Sequence, residues 1–155
     1  MLATIRKRIK TVRDWVCVKI YDWINDERSN CGLDDEIEAI PLIKKDIILT
    51  DDVLYINPYV GINYDRFSLE GVRCVLHSLY HSSTANAADD SVHSALYMLK
   101  RCKDAGIPMY IFPCNKESYR YVTTKALLEA GAIPLDGGTR SFAYVKLLLL
   151  YSIKK

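Results

Sequence analysis

The chain has 155 residues, of which 50% are hydrophobic and 26% are charged, a balance typical of a folded globular protein rather than a disordered one. Its formal net charge is only +2, which is too small to indicate a nucleic-acid partner. The apolar stretches are too short to cross a bilayer, and the start shows no uninterrupted apolar stretch of a secretory leader. We therefore expect a cytoplasmic protein with neither a nucleic-acid nor a membrane partner.

Residues 2–24 predict an amphipathic helix. Apolar side chains recur every three or four residues from Leu2 to Trp23, and Arg and Lys take much of the remaining surface. Such a stripe can pack on its own domain, pair with another chain or lie on a membrane surface. Asp14 and Asp22 on the polar face argue against the membrane.

After this helix the pattern changes, and the chain divides into an N-terminal helix with linker, residues 1–46, and a domain of residues 47–155. In the domain, short apolar runs alternate with segments of helical periodicity, most of which end at a glycine. We predict strands at 53–56, 72–79, 107–112 and 132–135, and helical segments at 64–70, 91–105, 119–130 and 140–153. Apolar strands that alternate with helices are typical of an α/β fold with a parallel sheet covered on both faces.

Ligands of parallel sheets bind beyond the carboxyl ends of the strands. Polar loops are expected there at residues 57–63, 80–90 and 113–118. The second loop holds Ser82, Ser83, Thr84 and Asn86, whose hydroxyl and amide groups can bind a carboxylate or an amide. The same side chains could instead cap the next helix or face solvent.

The sequence shows no catalytic residues, no metal site and no cofactor motif. His81 precedes Ser82, but no GxSxG elbow accompanies them. No glycine-rich nucleotide-binding motif occurs, and the five cysteines lack the spacing of metal ligands. His77 is expected within the second strand as a core or sheet-end histidine, and Cys114 has only Lys116 as a neighbouring cation, which favours an inert thiol.

Several segments match one known family in order and spacing. Residues 53–61, VLYINPYVG, are similar to the family's first strand and the turn after it, and residues 72–86 to the next strand and its small-residue loop. The closest match is residues 125–134, KALLEAGAIP, followed by Thr139 and the Lys-Leu pair at 146–147. Over roughly residues 50–153 the chain thus resembles the C-terminal domain of the L-asparaginase/glutaminase family, particularly its cytoplasmic bacterial type.

The resemblance implies a flavodoxin-like parallel sheet of about four strands with helices on both faces, in a dimer. It implies no catalysis by this chain alone, because the family's catalytic Thr and its Thr-Asp and Lys residues lie in an N-terminal domain that residues 1–46 are too short to contain. Asn86 matches an Asn that contacts the ligand across the family's dimer, and Cys114 matches the Cys of a loop near an effector site. The chain departs from the family at Ala85, where Gly is usual, and at Ser141, where an acidic residue is usual.

We therefore expect a non-catalytic asparaginase-like domain, a homo-oligomer, that binds a small amino acid such as asparagine or aspartate, or assists a separate catalytic asparaginase chain. The expected ligand residues are Ser82, Ser83, Thr84, Asn86 and Cys114. The alternative is an oligomerisation or interaction protein that uses the N-terminal helix and keeps a vestigial ligand loop. Neither hypothesis includes a metal or a cofactor.

Overall fold

The computed structural model describes residues 50–88 and 91–153. The predicted N-terminal helix and its linker, residues 1–46, lie outside these ranges. The chain separates into two compact units, one of residues 51–136 and one that includes Thr50 and the residues from 137 onward.

The first unit is built on four parallel strands that neighbour one another in chain order. They are β1 (Val53–Ile56), β2 (Cys74–Ser78), β3 (Met109–Phe112) and β4 (Ile133–Pro134). Val75 of β2 lies between Leu54 and Met109 in the register. β2 and β3 are buried at every position, as expected for apolar strands inside an α/β sheet. The α/β class and the four predicted strands are confirmed.

Residues 50–88 and 91–153 contain three α-helices: α1 (Ala95–Asp104) between β2 and β3, α2 (Val122–Glu129) between β3 and β4, and α3 (Arg140–Ile153) after β4. α3 has the predicted bounds and belongs to the second unit, where residues 145–150 are all buried. Within the described ranges no helix is long and apolar enough to cross a bilayer.

The predicted helices 91–105 and 119–130 begin too early. α1 starts only at Ala95, because the Ser94 side chain accepts a hydrogen bond from the Leu96 amide at 3.2 Å and so caps the helix. The chain before α2 first forms a 3₁₀ turn, Ser118–Arg120, and the predicted helix 64–70 is likewise only a 3₁₀ turn, Tyr64–Arg66.

The connections between the strands of the first unit pack on one face of the sheet. The core joins Tyr64 of the first connection, Leu99 of α1 and Leu127 of α2 to Val75 and Ile111 of the sheet. Right-handed crossovers between successive neighbouring strands all lie on the same face, which explains the arrangement. Both helices of this unit therefore cover the same face of the sheet. The prediction of helices on both faces, which included residues 140–153 of the second unit, stays a prediction. The described strands also lack the reversal of order that a flavodoxin-like sheet has after its first strand.

Replacing Ser94 with alanine should lower the free energy of unfolding by about 0.5–2 kcal/mol, because the Leu96 amide loses its capping acceptor. Urea denaturation followed by circular dichroism measures the change. Ser68→Ala is the control, since the Ser68 hydroxyl accepts a similar 3.2 Å bond from the Glu70 amide but is exposed and caps no helix, and it should stay within about 0.5 kcal/mol of the parent. Equal effects of the two changes would contradict the capping role of Ser94.

Candidate functional site

Backbone hydrogen bonds continue past the carboxyl ends of the strands and join the residues that follow them. The Leu79 amide, just after β2, donates to the carbonyl of Phe112 at 2.6 Å. The Cys114 amide, after β3, donates to the carbonyl of Leu135 at 2.8 Å. The loops that leave this edge therefore start from fixed positions, as a binding site requires.

The loop after β2 is closed on itself. The Tyr80 amide donates to the Thr84 carbonyl and the Ser83 amide to the Tyr80 carbonyl, both at 2.8 Å. Ser83 has φ of 56°, in the left-handed region that non-glycine residues seldom occupy. The Ser82 and Thr84 hydroxyl oxygens lie 2.8 Å apart, so this turn places two hydroxyls side by side at the end of the central strand pair. Ser82 is exposed and Thr84 half-buried.

This turn lies beside the start of α2. Thr124, in the first turn of α2, donates a hydrogen bond from its hydroxyl to the Ser83 carbonyl. The N-cap residue Tyr121 makes no side-chain capping bond, and the first turn contains no acidic residue. A helix start of this kind attracts anions through its amide groups. Thr124 was not singled out from the sequence, because its partner lies 41 residues away.

The side-chain amide of Asn86 is already hydrogen-bonded within the protein and links this loop to the start of α1. Its Nδ2 donates to the His93 carbonyl at 2.9 Å, and its Oδ1 accepts from the Ala88 amide at 3.2 Å. Its own carbonyl accepts from the Ala95 amide at 2.7 Å. A ligand that bonded to the Asn86 side chain would have to share or replace these contacts.

Cys114 lies in the hydrophobic core and is only 3% exposed. Burial, with a smaller contribution from Asp136, raises the pKa of its thiol to about 11. The thiol is therefore protonated near neutral pH and is a poor nucleophile. The structure thus brings Ser82, Ser83 and Thr84 together, ties Asn86 to α1, and places Cys114 inside the core.

A buried hydrogen bond that the sequence did not predict joins His77 of β2 to Tyr64, in the connection between β1 and β2. His77, the fourth of the five residues of β2, is 0% exposed and its Nε2 is 2.6 Å from the Tyr64 hydroxyl oxygen. Its Nδ1 has no hydrogen-bond partner among the described residues. Burial lowers the pKa of His77 to about 4, against a smaller opposite effect of the Ser78 backbone, and burial raises the pKa of Tyr64. His77 is a core residue, which is one of the two positions, core or sheet end, that the sequence predicted.

The described arrangement offers hydroxyl donors and a helix start, which can bind a carboxylate. Over residues 50–88 and 91–153, no three His, Cys, Asp or Glu side chains are grouped to hold a metal ion. A scan against models of known protein families gave no match, and searches of curated proteins and of solved structures gave none either. The resemblance to the asparaginase/glutaminase family stays a prediction.

Proposed function

We propose that this chain is an asparaginase-like domain that is not catalytic alone, and that it binds a small amino acid such as asparagine or aspartate or assists a separate catalytic asparaginase chain. One observation carries the proposal: the hydroxyls of Ser82 and Thr84, 2.8 Å apart, lie in a turn bonded to the first turn of α2. A carboxylate there would accept hydrogen bonds from the hydroxyls and gain from the helix dipole. We expect the domain to act as a homo-oligomer in the cytoplasm.

The residues around this turn fit a binding role better than hydrolysis. Hydrolysis of an amide needs a nucleophile activated by a neighbouring base, whereas the Ser82 hydroxyl is bonded to another hydroxyl. The thiol of Cys114 is buried and protonated near neutral pH. Ser82 and Thr84 are therefore assigned to ligand contact, and Asn86 is assigned to holding the loop on α1 from which those contacts are made.

The surroundings of α2 support the second form of the proposal, in which the domain works with another chain. Tyr119, Tyr121 and Val122 precede or begin this helix and are 46%, 45% and 83% exposed. Exposed apolar side chains close together in sequence and beside a polar site are a feature of protein contact surfaces. A catalytic chain covering this region would exclude water from a ligand at Ser82 and Thr84.

The test is a thermal-shift titration with L-asparagine, L-aspartate and L-glutamine, with ammonia release followed in the same samples. A ligand that binds only the folded state raises the melting temperature. Ser82→Ala combined with Thr84→Val should weaken binding roughly 10- to 100-fold, because two hydrogen bonds of about 0.7–1.4 kcal/mol each are lost at a partly exposed site. Ser68→Ala, which removes an exposed hydroxyl elsewhere, should bind as the parent does.

Each outcome decides between the hypotheses. A shift without ammonia, lost in the double variant, supports the binding domain. Ammonia released by the purified chain contradicts its lack of catalysis. No shift with any of the three amino acids favours the alternative, an oligomerisation protein that uses residues 2–24, and the oligomeric state of Val16→Asp then becomes the measurement to make.

A further inference from the structure

The connection between β1 and β2, residues 57–73, covers part of the sheet with little regular structure of its own. It contains only the 3₁₀ turn Tyr64–Arg66. Individual hydrogen bonds hold this connection to α1 and to the residues just before α1. The Tyr64 amide donates to the Val92 carbonyl at 2.9 Å, and the Arg101 guanidinium donates to the carbonyls of Tyr64 and Phe67. The connection has no strand or α-helix of its own, so it can open without breaking the hydrogen bonds of the sheet, at the cost of exposing Ile62 and Tyr64.

Beneath this connection lies the Tyr64–His77 pair. Tyr64 is 1% exposed and His77 is 0% exposed, and their hydrogen bond is 2.6 Å long. The sheet neighbours of His77 are Ile56 on β1 and Ile111 on β3, both apolar. A charged imidazole at this position would have lost its water without gaining a counter-ion on the sheet.

Within residues 50–88 and 91–153, the other elements around the pair place no carboxylate against His77. Four titratable side chains lie near the pair. Tyr80 contributes to the raised pKa of Tyr64, His93 contacts the Ile62 carbonyl, and Arg101 and Cys102 belong to α1. None of these is a carboxylate. Asp65, in the same 3₁₀ turn, is exposed and accepts a hydrogen bond from the Tyr97 hydroxyl at 2.7 Å.

We propose that residues 57–73 form an acid-released cover, which protonation of His77 opens while the sheet stays paired. β2 is bonded to strands on both sides, so the imidazole cannot leave the interior with its strand. Water can reach the His77 ring with the smallest loss of free energy when residues 57–73 move away from the sheet. The released surface would include the ring of Tyr64. This inference is independent of the ligand proposed above, because the pair and the Ser82–Thr84 turn share no residue.

The linkage between protonation and opening sets the size of the effect. Burial lowers the pKa of His77 to about 4 from its ordinary value of 6.5, and the ordinary value applies again once the cover is open. The open population therefore rises as the pH falls below 6.5 and stops rising below about 4. Between pH 7.5 and pH 4.5 it should rise roughly 70-fold.

Hydrogen exchange read by mass spectrometry over this pH range, corrected for the intrinsic pH dependence of amide exchange, tests the proposal. In the parent protein, peptides from residues 57–73 should lose protection roughly 70-fold, while peptides from β3 keep theirs. His77→Phe should remove the pH response. His93→Gln should retain it, although His93 also contacts the connection at the Ile62 carbonyl.

Tyr64→Phe keeps the ring and removes the hydroxyl, and it should open the cover several-fold more at pH 7.5, because a buried bond is lost. This variant decides the question if His77→Phe fails to fold. The proposal is overturned if protection of residues 57–73 does not depend on pH, if β3 loses protection to the same extent, if the response follows His93, or if Tyr64→Phe exchanges like the parent.

Discussion

Replacing Leu127 with alanine should lower the free energy of unfolding by about 2–5 kcal/mol. Leu127 is 0% exposed and belongs to the core cluster under the sheet. α2 has only eight residues, and Leu127 and Thr124 are its buried ones. A helix this short is not stable in isolation, so its position depends on the packing of Leu127. Truncation to alanine removes that packing and leaves a cavity.

Urea denaturation followed by circular dichroism measures the effect, with two control variants on the same helix. Lys125→Ala removes an exposed side chain that forms a 3.7 Å ion pair with Glu129, and it should change the free energy of unfolding by no more than about 0.5 kcal/mol. Leu127→Met keeps the volume and should cost less than about 1.5 kcal/mol. If Leu127→Ala were as mild as Lys125→Ala, α2 would not be packed on the sheet as described.

The loss of Leu127 should also reach the candidate site. Thr124, one turn earlier in α2, holds the Ser83 carbonyl, so a displaced helix displaces the turn with Ser82 and Thr84. Ligand-induced thermal shifts should therefore shrink in Leu127→Ala and persist in Lys125→Ala.

The second large effect is expected on acidification. The free energy of unfolding should fall by about 3 kcal/mol between pH 7 and pH 4 through His77 alone. The pKa of His77 is about 4 in the folded chain, below its ordinary value of 6.5. The unfolded chain therefore binds the proton first as the pH falls. The stabilisation by neutral His77 is complete above pH 6.5, declines between 6.5 and about 4, and does not change further below that.

Urea denaturation of the parent and of His77→Phe at pH 7.5, 5.5 and 4 isolates this contribution, because carboxylates titrate in both proteins. The parent should lose about 3 kcal/mol more than the variant over this range. Stability curves that stay parallel would contradict the assignment of the acid sensitivity to His77. The hydrogen-exchange experiment on residues 57–73 locates the opening, whereas this one measures its cost to the whole fold.

The amino-acid pattern predicts most of the elements, because their signals are local. The apolar runs at Val53–Ile56 and Met109–Phe112 are strands, and α3 has its predicted bounds. The residue at which a helix starts depends less on neighbouring residues alone. The helix predicted from residue 91 begins only after Ser94, whose side chain caps it, and the Ala95 amide is bonded to the carbonyl of Asn86 in the preceding loop.

The candidate site shows the same division. The sequence singled out Ser82, Ser83 and Thr84, because small polar residues after a buried strand are visible as a pattern. Their place beside Thr124 was not visible, since it depends on how α2 packs on the sheet. Cys114 was grouped with them through the family resemblance, whereas its strand end directs the thiol into the core.

By itself the sequence determined that this protein forms parallel strands alternating with helices, because apolar runs and helical periodicity are written in neighbouring residues. Only the tertiary structure decided that the connections of the first unit cover one face of the sheet, since this follows from the order of the strands. It also decided that Tyr64 and His77 form a buried pair. Two side chains 13 residues apart become partners only when a connection folds across a strand, and no local pattern records that crossing.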